Sequence, residues 1–351
     1  MSHYKSIRLF KDKISLLADK RAVAVVVWLL LIAAIVFIIS TGSGEMKISP
    51  LSVLQVFFGG GTEMEQLVVQ SFRLPRIIVA FMVGAGLAVA GGLLQGMIRN
   101  PLASPDILGI TGGAAVAVVG FLAIFSNNSN ALTVSIKWLP VAAFVGAAAV
   151  SLLVYTLAWK NGVSPIRLVL IGIGLSALMQ ALTTLMMIMG PIYRASQANI
   201  WITGTVHGST WSNVYTLVPW TLIFILLAFI FARSVNLQEL GDDIATGVGG
   251  QVQRQRFGLL LISTALIGSS VAFAGGIGFV GLMAPHMARR LVGSAFGALL
   301  PVSALIGGIL VMVADLIGRT VFSPLEVPAG VFTAAIGAPY FIYLLFKSRN
   351  S

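Results

Sequence analysis

Apolar runs of bilayer length alternate with short polar breaks along the chain. About 20 consecutive apolar residues span a hydrocarbon core as a helix. The pattern predicts such spans over residues 22–40, 76–95, 108–125, 138–159, 168–189, 216–232, 257–274, 299–318 and 330–346. A tenth, shorter and rich in glycine, falls within 275–290 and is expected to turn at Pro285-His286. The alternation of a membrane strand is absent, which argues against a β-barrel. The expected fold is all-α and polytopic, one transmembrane domain over residues 1–351.

The breaks differ in character. Residues 4–21 hold Lys5, Arg8, Lys11, Lys13, Lys20 and Arg21 and read as a short amphipathic helix, with a disordered basic tail as the alternative. Residues 41–72 are a polar loop containing Gly59-Gly60-Gly61, and 126–137 a turn with three asparagines. Residues 190–215 are too polar to span and are expected to carry a surface helix near 198–203. The longest deep break, 233–256, holds three arginines, three acids and four glycines. Each charge would cost a few kcal/mol in hydrocarbon, so this segment belongs at a surface. A short helix over 241–249 between flexible ends suits contact with a soluble partner.

Composition sharpens the class. Only 9% of the residues are charged and 58% are hydrophobic, with mean hydropathy +0.98, whereas soluble domains carry roughly a quarter charged residues. The net charge of +11 does not signal nucleic acid, because most basic residues sit between spans and set orientation. With the N-terminus inside, the inside segments hold the N-terminal basic group, Arg99, Lys160, Arg167, Arg233, Arg254, Arg256, Arg289, Arg290, Lys347 and Arg349. The outside segments hold Lys47, Arg73, Arg76, Lys137, Arg194 and Arg319. That bias predicts ten spans and both termini in the cytoplasm. The first span lacks cleavage features and is expected to be retained.

The chemistry visible in the chain is sparse. With no Gly-Lys pair there is no phosphate-binding loop, so any ATP would be hydrolysed by a separate subunit. Cysteine is absent, and His3, His207 and His286 are far apart, which argues against a metal site built from this chain alone. His207 and Ser209 lack an orienting acid for hydrolase chemistry. Asp315 is the one acid well inside a predicted span, and Arg319 four residues on suits a helix-face ion pair. An ion-coupled secondary transporter, which needs such acids, is the alternative function. Arg73 and Arg76, flanking Leu74-Pro75, and Arg319 sit at outer span ends. They read as snorkelling anchors or as a cationic rim for a partner's carboxylates. Unwound backbone in a membrane must be buried or line a cavity. Residues 100–113 and 275–281 are therefore candidate pathway segments.

Several motifs in fixed order then identify a resemblance. They are Arg73-Leu74-Pro75-Arg76; Asn100-Pro101-Leu102-Ala103-Ser104-Pro105 with Leu108-Gly109; and Gly278-Phe279-Val280-Gly281-Leu282 with Pro285-His286 and Arg289. Ala314-Asp315 with Arg319, Glu326-Val327-Pro328-Ala329-Gly330 and Gly337-Ala338-Pro339 follow. From about 70 to 345 the chain resembles the permease subunits of binding-protein-dependent ABC importers for ferric siderophores, haem and vitamin B12. The resemblance implies the type II importer permease fold, with about ten helices per subunit. It also implies two permease subunits around one pathway, the second a copy or a similar chain, with two ABC ATPase subunits beneath. This chain would bind no cofactor of its own, and the ATP would be used by the partners. A substrate-binding protein or lipoprotein would dock on Arg73, Arg76 and Arg319. Gly241, Asp242, Asp243, Ile244, Ala245 and Gly249 would form the segment coupled to the ATPases, from which Gly247 and Val248 depart. Asn100, Pro101, Gly109, Gly278, Gly281 and Pro285 would line the pathway or gate. The location implied is a prokaryotic cytoplasmic membrane, crossed many times among lipid. A ferric siderophore is the cargo implied first, with haem and cobalamin open.

Overall fold

The protein is described by a computed structural model over residues 4–9, 14–126, 132–189 and 192–349. Two short strands, β1 (Tyr4–Leu9) and β2 (Ile14–Asp19), pair antiparallel before α1 (Lys20–Gly42). The helix expected over 4–21 is therefore a hairpin. Its register matches Ile7 to Leu16 and Leu9 to Ile14, a period of two that competes with the helical one over so short a stretch. The Asp19 carboxylate then accepts from Arg21 N at 2.9 Å and caps α1.

The loop expected over 41–72 is largely helical. It holds α2 (Pro50–Phe57), α3 (Glu63–Gln66) and a π-helical stretch, Leu67–Arg73, that runs directly into α4 (Leu74–Ile98). Thr62 and Glu65 cap α3 reciprocally. The following helices are α5 (Ile110–Ile124), α6 (Leu139–Ala158), α7 (Pro165–Met189) and α8 (Ile192–Thr203). The asparagines of the 126–137 turn lie outside the described residues. After them come α9 (Trp211–Glu239), α10 (Asp242–Gly247) and α11 (Val252–Ala274). The chain ends with α12 (Val280–Val292), α13 (Phe296–Thr320) and α14 (Ala329–Arg349). Residues 233–239 thus continue α9, and only the remainder of the long polar break forms the short helix and its flanks. That continuation holds because Asn236 accepts from Phe296 N at 3.0 Å and the Gln238 amide donates to Gln255 at 3.2 Å.

Among the described residues, seven helices are long and apolar enough to cross a membrane, with α5 and most of α14 shorter apolar helices. Two passages combine non-helical backbone with a short helix: 99–109, mostly turns, before α5, and 275–279 before α12. Each of these helices starts at a left-handed residue, Gly109 (φ 72°) and Phe279 (φ 66°). The multi-span helical class agrees with the expectation, with seven long spans and shorter apolar helices standing where about ten spans were expected.

Pro285 lies inside α12 rather than at a turn. A helix-interior proline leaves the carbonyl four residues back without its donor, here that of Gly281. This carbonyl rests against Gly91 of α4, where no Cβ would fit. The glycine pair absorbs what the proline disrupts.

The most buried helix is α4, packed among α9, α11, α12 and α13, while α1 lies at the periphery against α13. Lipid offers helices no hydrophobic drive to associate, so close backbone approach must supply it. Gly84 of α4 and Gly307 of α13 face each other, each filling the space of the other's missing Cβ. Gly84→Leu is expected to force α4 and α13 apart and cost about 1–3 kcal/mol or more, read as a lower melting temperature in detergent. Gly247 has open space around it, so Gly247→Ala should leave stability equal or slightly raised, since Ala gains about 1 kcal/mol of helix propensity.

Candidate functional site

Charged side chains gather in two clusters at opposite ends of the bundle. On one face, Arg76 at the start of α4 grips Asp315 of α13: its Nε donates to both carboxylate oxygens at 3.0 and 3.1 Å, and Nη2 to Oδ1 at 2.8 Å. Nη1 of the same arginine donates to Glu326 at 3.0 Å, and His207 approaches the other Glu326 oxygen at 2.6 Å. Arg319 adds the expected pairing with Asp315, its Nε 3.5 Å from Oδ2. Asp315 is 3% exposed, so it is an internal counter-ion with Arg76 as its main partner.

Arg73 and Arg319 hold a strap between α1 and α2. Arg73 donates to Thr41 O at 2.7 Å and to Met46 O at 2.5 Å. Arg319 donates to Ser43 O at 2.5 Å, to Ser40 O, and to the Ser40 hydroxyl at 2.9 Å. Gly44, with φ 149°, lies where a Cβ would strike the Arg73 guanidinium. Backbone carbonyls thus solvate two largely buried cations. The structure brings the three predicted arginines together, and all three line a cleft of about 330 Å³ with Glu45, Ser323 and Glu326. Burial by itself would raise the Glu326 pKa, but the hydrogen bond and charge of Arg76, with His207, outweigh it and hold the carboxyl below its usual range.

The second cluster surrounds α10. Gly241 (φ 125°) and Gly249 (φ 85°) flank the helix in conformations that favour glycine. Ala245 is buried, and Asp243, Ile244 and Val248 are exposed. Asp242, its side chain 41% exposed, faces α11 and α4: its oxygens accept from Arg256 Nη1 at 2.9 Å and Nη2 at 2.7 Å, and from Arg99 at the end of α4. Arg256 is only 1% exposed and also donates to Val163 O in the α6–α7 turn at 2.9 Å. Gln253 accepts from Val163 N at 2.8 Å, and Arg289 bonds Glu239 at 3.0 Å. In the sequence Arg99 and Arg256 read only as orientation charges. Their role depends on long-range partners that no local pattern displays.

The predicted pathway residues do not share one environment. Gly281 and Pro285 are buried against α4. Asn100 and Pro101 are exposed at the end of α4, where the Asn100 side chain accepts from Leu102 N at 2.9 Å. Gly109 packs on the backbone of Ser176, and Gly278 has open space. Sequence reasoning missed a cleft of about 470 Å³ lined by Asp106, Ser176 and Gln180. Ser176 Oγ donates to Asp106 O at 3.1 Å, which fixes the turn before α5 against the middle of α7.

Comparison with known proteins places the chain among transport permeases. Residues 30–347 match the FecCD transport family. The chain is 60% identical over 334 residues to the probable siderophore transport system permease protein YfhA of Bacillus subtilis, covering 95% of this chain and 97% of that one. It is 46% identical to the iron(3+)-hydroxamate import system permease protein FhuG of the same organism, covering 91% and 95%. A metal-chelate type ABC transporter solved in an inward-facing conformation superposes with TM-score 0.80 at 29% identity, covering 93% of this chain and 99% of that chain.

Asp315→Asn is expected to strand the Arg76 guanidinium and cost about 3–5 kcal/mol, seen as a large drop in melting temperature. The depressed Glu326 pKa means that its ion pair is intact above the ordinary carboxylate value of about 4.3. The pair is lost as pH falls through the lower folded value. The melting-temperature gap between the wild type and Glu326→Gln should therefore be present at pH 6–7 and close below about pH 4.

Proposed function

The chain belongs to the FecCD transport family and is a permease subunit of an ABC importer, and from that premise we propose that its cargo is a ferric siderophore. Two such relatives act in siderophore or hydroxamate systems by name, which supports this cargo. The permease is a transport subunit rather than an enzyme. Two ATPase subunits would sit against the α10 face and a substrate-binding protein or lipoprotein against the arginine face. A second permease, identical or similar, would complete the pathway. The α10 face is then cytoplasmic, with both chain termini on it, in a prokaryotic cytoplasmic membrane.

The observation that carries the motor contact is an exposed apolar group within a polar surface. Leu240, Ile244 and Val248 are 62%, 54% and 64% exposed in a segment whose charges keep it out of lipid. Beside them Asp243 is exposed and Ala245 turns inward. A soluble partner with a shallow groove would bury this group. ATP binding would draw the motors together and shift α10, and rigid movement of the spans would open the pathway to one side and then the other.

At the other face, docking would be an exchange of carboxylates. Asp315 already occupies the Nε–Nη2 edge of Arg76, while Glu326, 39% exposed, holds Nη1. An acidic side chain of the binding protein would displace Glu326 and reach the cleft that Arg73 and Arg319 also line. Between the faces, Asp106, Ser176 and Gln180 would line the pathway, since polar groups at mid-depth do not face lipid. The ion-coupled carrier reading loses its main candidate, because Asp315 is locked to Arg76.

The test is uptake of ferric siderophore into vesicles carrying the reconstituted complex. Uptake should require hydrolysable ATP and persist when an ionophore dissipates ion gradients; the reverse pattern would establish an ion-coupled carrier. Ile244→Glu with Val248→Glu should reduce motor co-purification at least tenfold while leaving the melting temperature of the permease near that of the wild type.

A further inference from the structure

We propose that Asp242 is a positioning residue, and that the Asp242–Arg256–Arg99 cluster is the joint that carries displacement of α10 into the membrane spans. The inference rests on the motor-contact reading above and names how the contact is transmitted inside this chain.

Backbone alone is a poor transmitter here. The helix α10 has six residues, too few to hold itself together without tertiary support. Gly241 precedes it, and Gly249 and Gly250 follow it, so the flanks can bend without moving α9 or α11. No side chain caps its N-terminus. A push on Ile244 or Val248 would be absorbed by these hinges unless another link bridges them.

Asp242 supplies that link. Its carboxylate accepts two bonds from Arg256 of α11 in fork geometry, at 2.7 and 2.9 Å, and one from Arg99 at the end of α4. Arg256 in turn donates to Val163 O, which ties the same carboxylate to the α6–α7 turn. Gln253 of α11 reinforces the connection at Val163 N. One side chain of α10 is thus joined to three separate parts of the bundle. Planar bidentate pairing resists rotation as well as separation, so the cluster moves as a unit.

The two adjacent acids therefore divide the work. Asp243 is exposed on the surface offered to the motor, and Asp242 is turned toward two guanidinium groups. Neutralising Asp242 removes the carboxylate that Arg99 and Arg256 both bond and leaves only the nearby charge of Asp243 for Arg99, while the exposed apolar side chains of Ile244 and Val248 are unchanged.

The experiment uses the whole complex in proteoliposomes and measures ferric siderophore moved per ATP hydrolysed, with motor co-purification and melting temperature alongside. Asp242→Asn should keep the motors bound in the wild-type ratio but lower the siderophore moved per ATP about tenfold. Asp242→Glu, which restores the charge, should recover to within about twofold. Arg99→Gln, at a site 31% exposed, should give an intermediate loss and carries the test if Asp242→Asn does not fold. A wild-type ratio in Asp242→Asn or, failing that, in Arg99→Gln would overturn the proposal. So would loss of the motors from a folded Asp242→Asn complex, which would make Asp242 a direct contact. Absence of ATP-dependent uptake in the unmutated complex would instead refute the motor-contact reading itself.

Discussion

A guanidinium or carboxylate near hydrocarbon must find a partner inside the protein, and this constraint organises the molecule. Arg76 and Asp315 satisfy each other across α4 and α13 with three hydrogen bonds, so the arginine face is closed by an interaction that lipid cannot replace. Arg73 and Arg319 use backbone carbonyls of the 40–46 strap for the same purpose. The strap in turn fixes the end of α1, which has few other contacts beyond α13. Removing the ion pair would therefore loosen the central helices and the peripheral one together.

The same constraint applied to backbone explains the unwound passages. Residues 99–109 and 275–279 leave the helical ladder; the first is buried at 103–105 and 108–109 and exposed at 99–102, and the second is largely buried against protein. Ser176 bonds the first, and the second is held where Gly276 N donates to Trp201 O at 3.3 Å and Thr205 N to Ala274 O at 2.7 Å. Glycine permits these approaches. At Gly91 it also accommodates the carbonyl that Pro285 leaves without a donor.

Together the clusters give the permease a rigid centre with a charged tie at each end. A transporter that moves by rocking of rigid parts needs links that transmit force without deforming. The Asp242 cluster has that character on the α10 face, and the partly exposed Glu326 contact is the replaceable member on the other. The membership of the chain in the FecCD family gives these ties a purpose that geometry alone would leave open.

Membrane class, the long apolar spans and the polar segment around α10 were legible in the sequence, because hydrophobic length and charge bias are local quantities. The family resemblance was legible too, through short motifs in order. The N-terminal hairpin, the helical character of 233–239 and the continuous α12 through Pro285 were not. The hairpin is local, but its period of two competes with the helical one over so short a stretch; the other two depend on partners distant in sequence, Phe296 for Asn236 and Gly91 for the Gly281 carbonyl. The charged residues divide the same way. Sequence placed Arg73, Arg76 and Arg319 at one membrane face by composition. Only the tertiary structure decided that Asp315 and the strap carbonyls hold them, and that Asp242 faces Arg99 and Arg256, because an ion pair is set by three-dimensional proximity and burial.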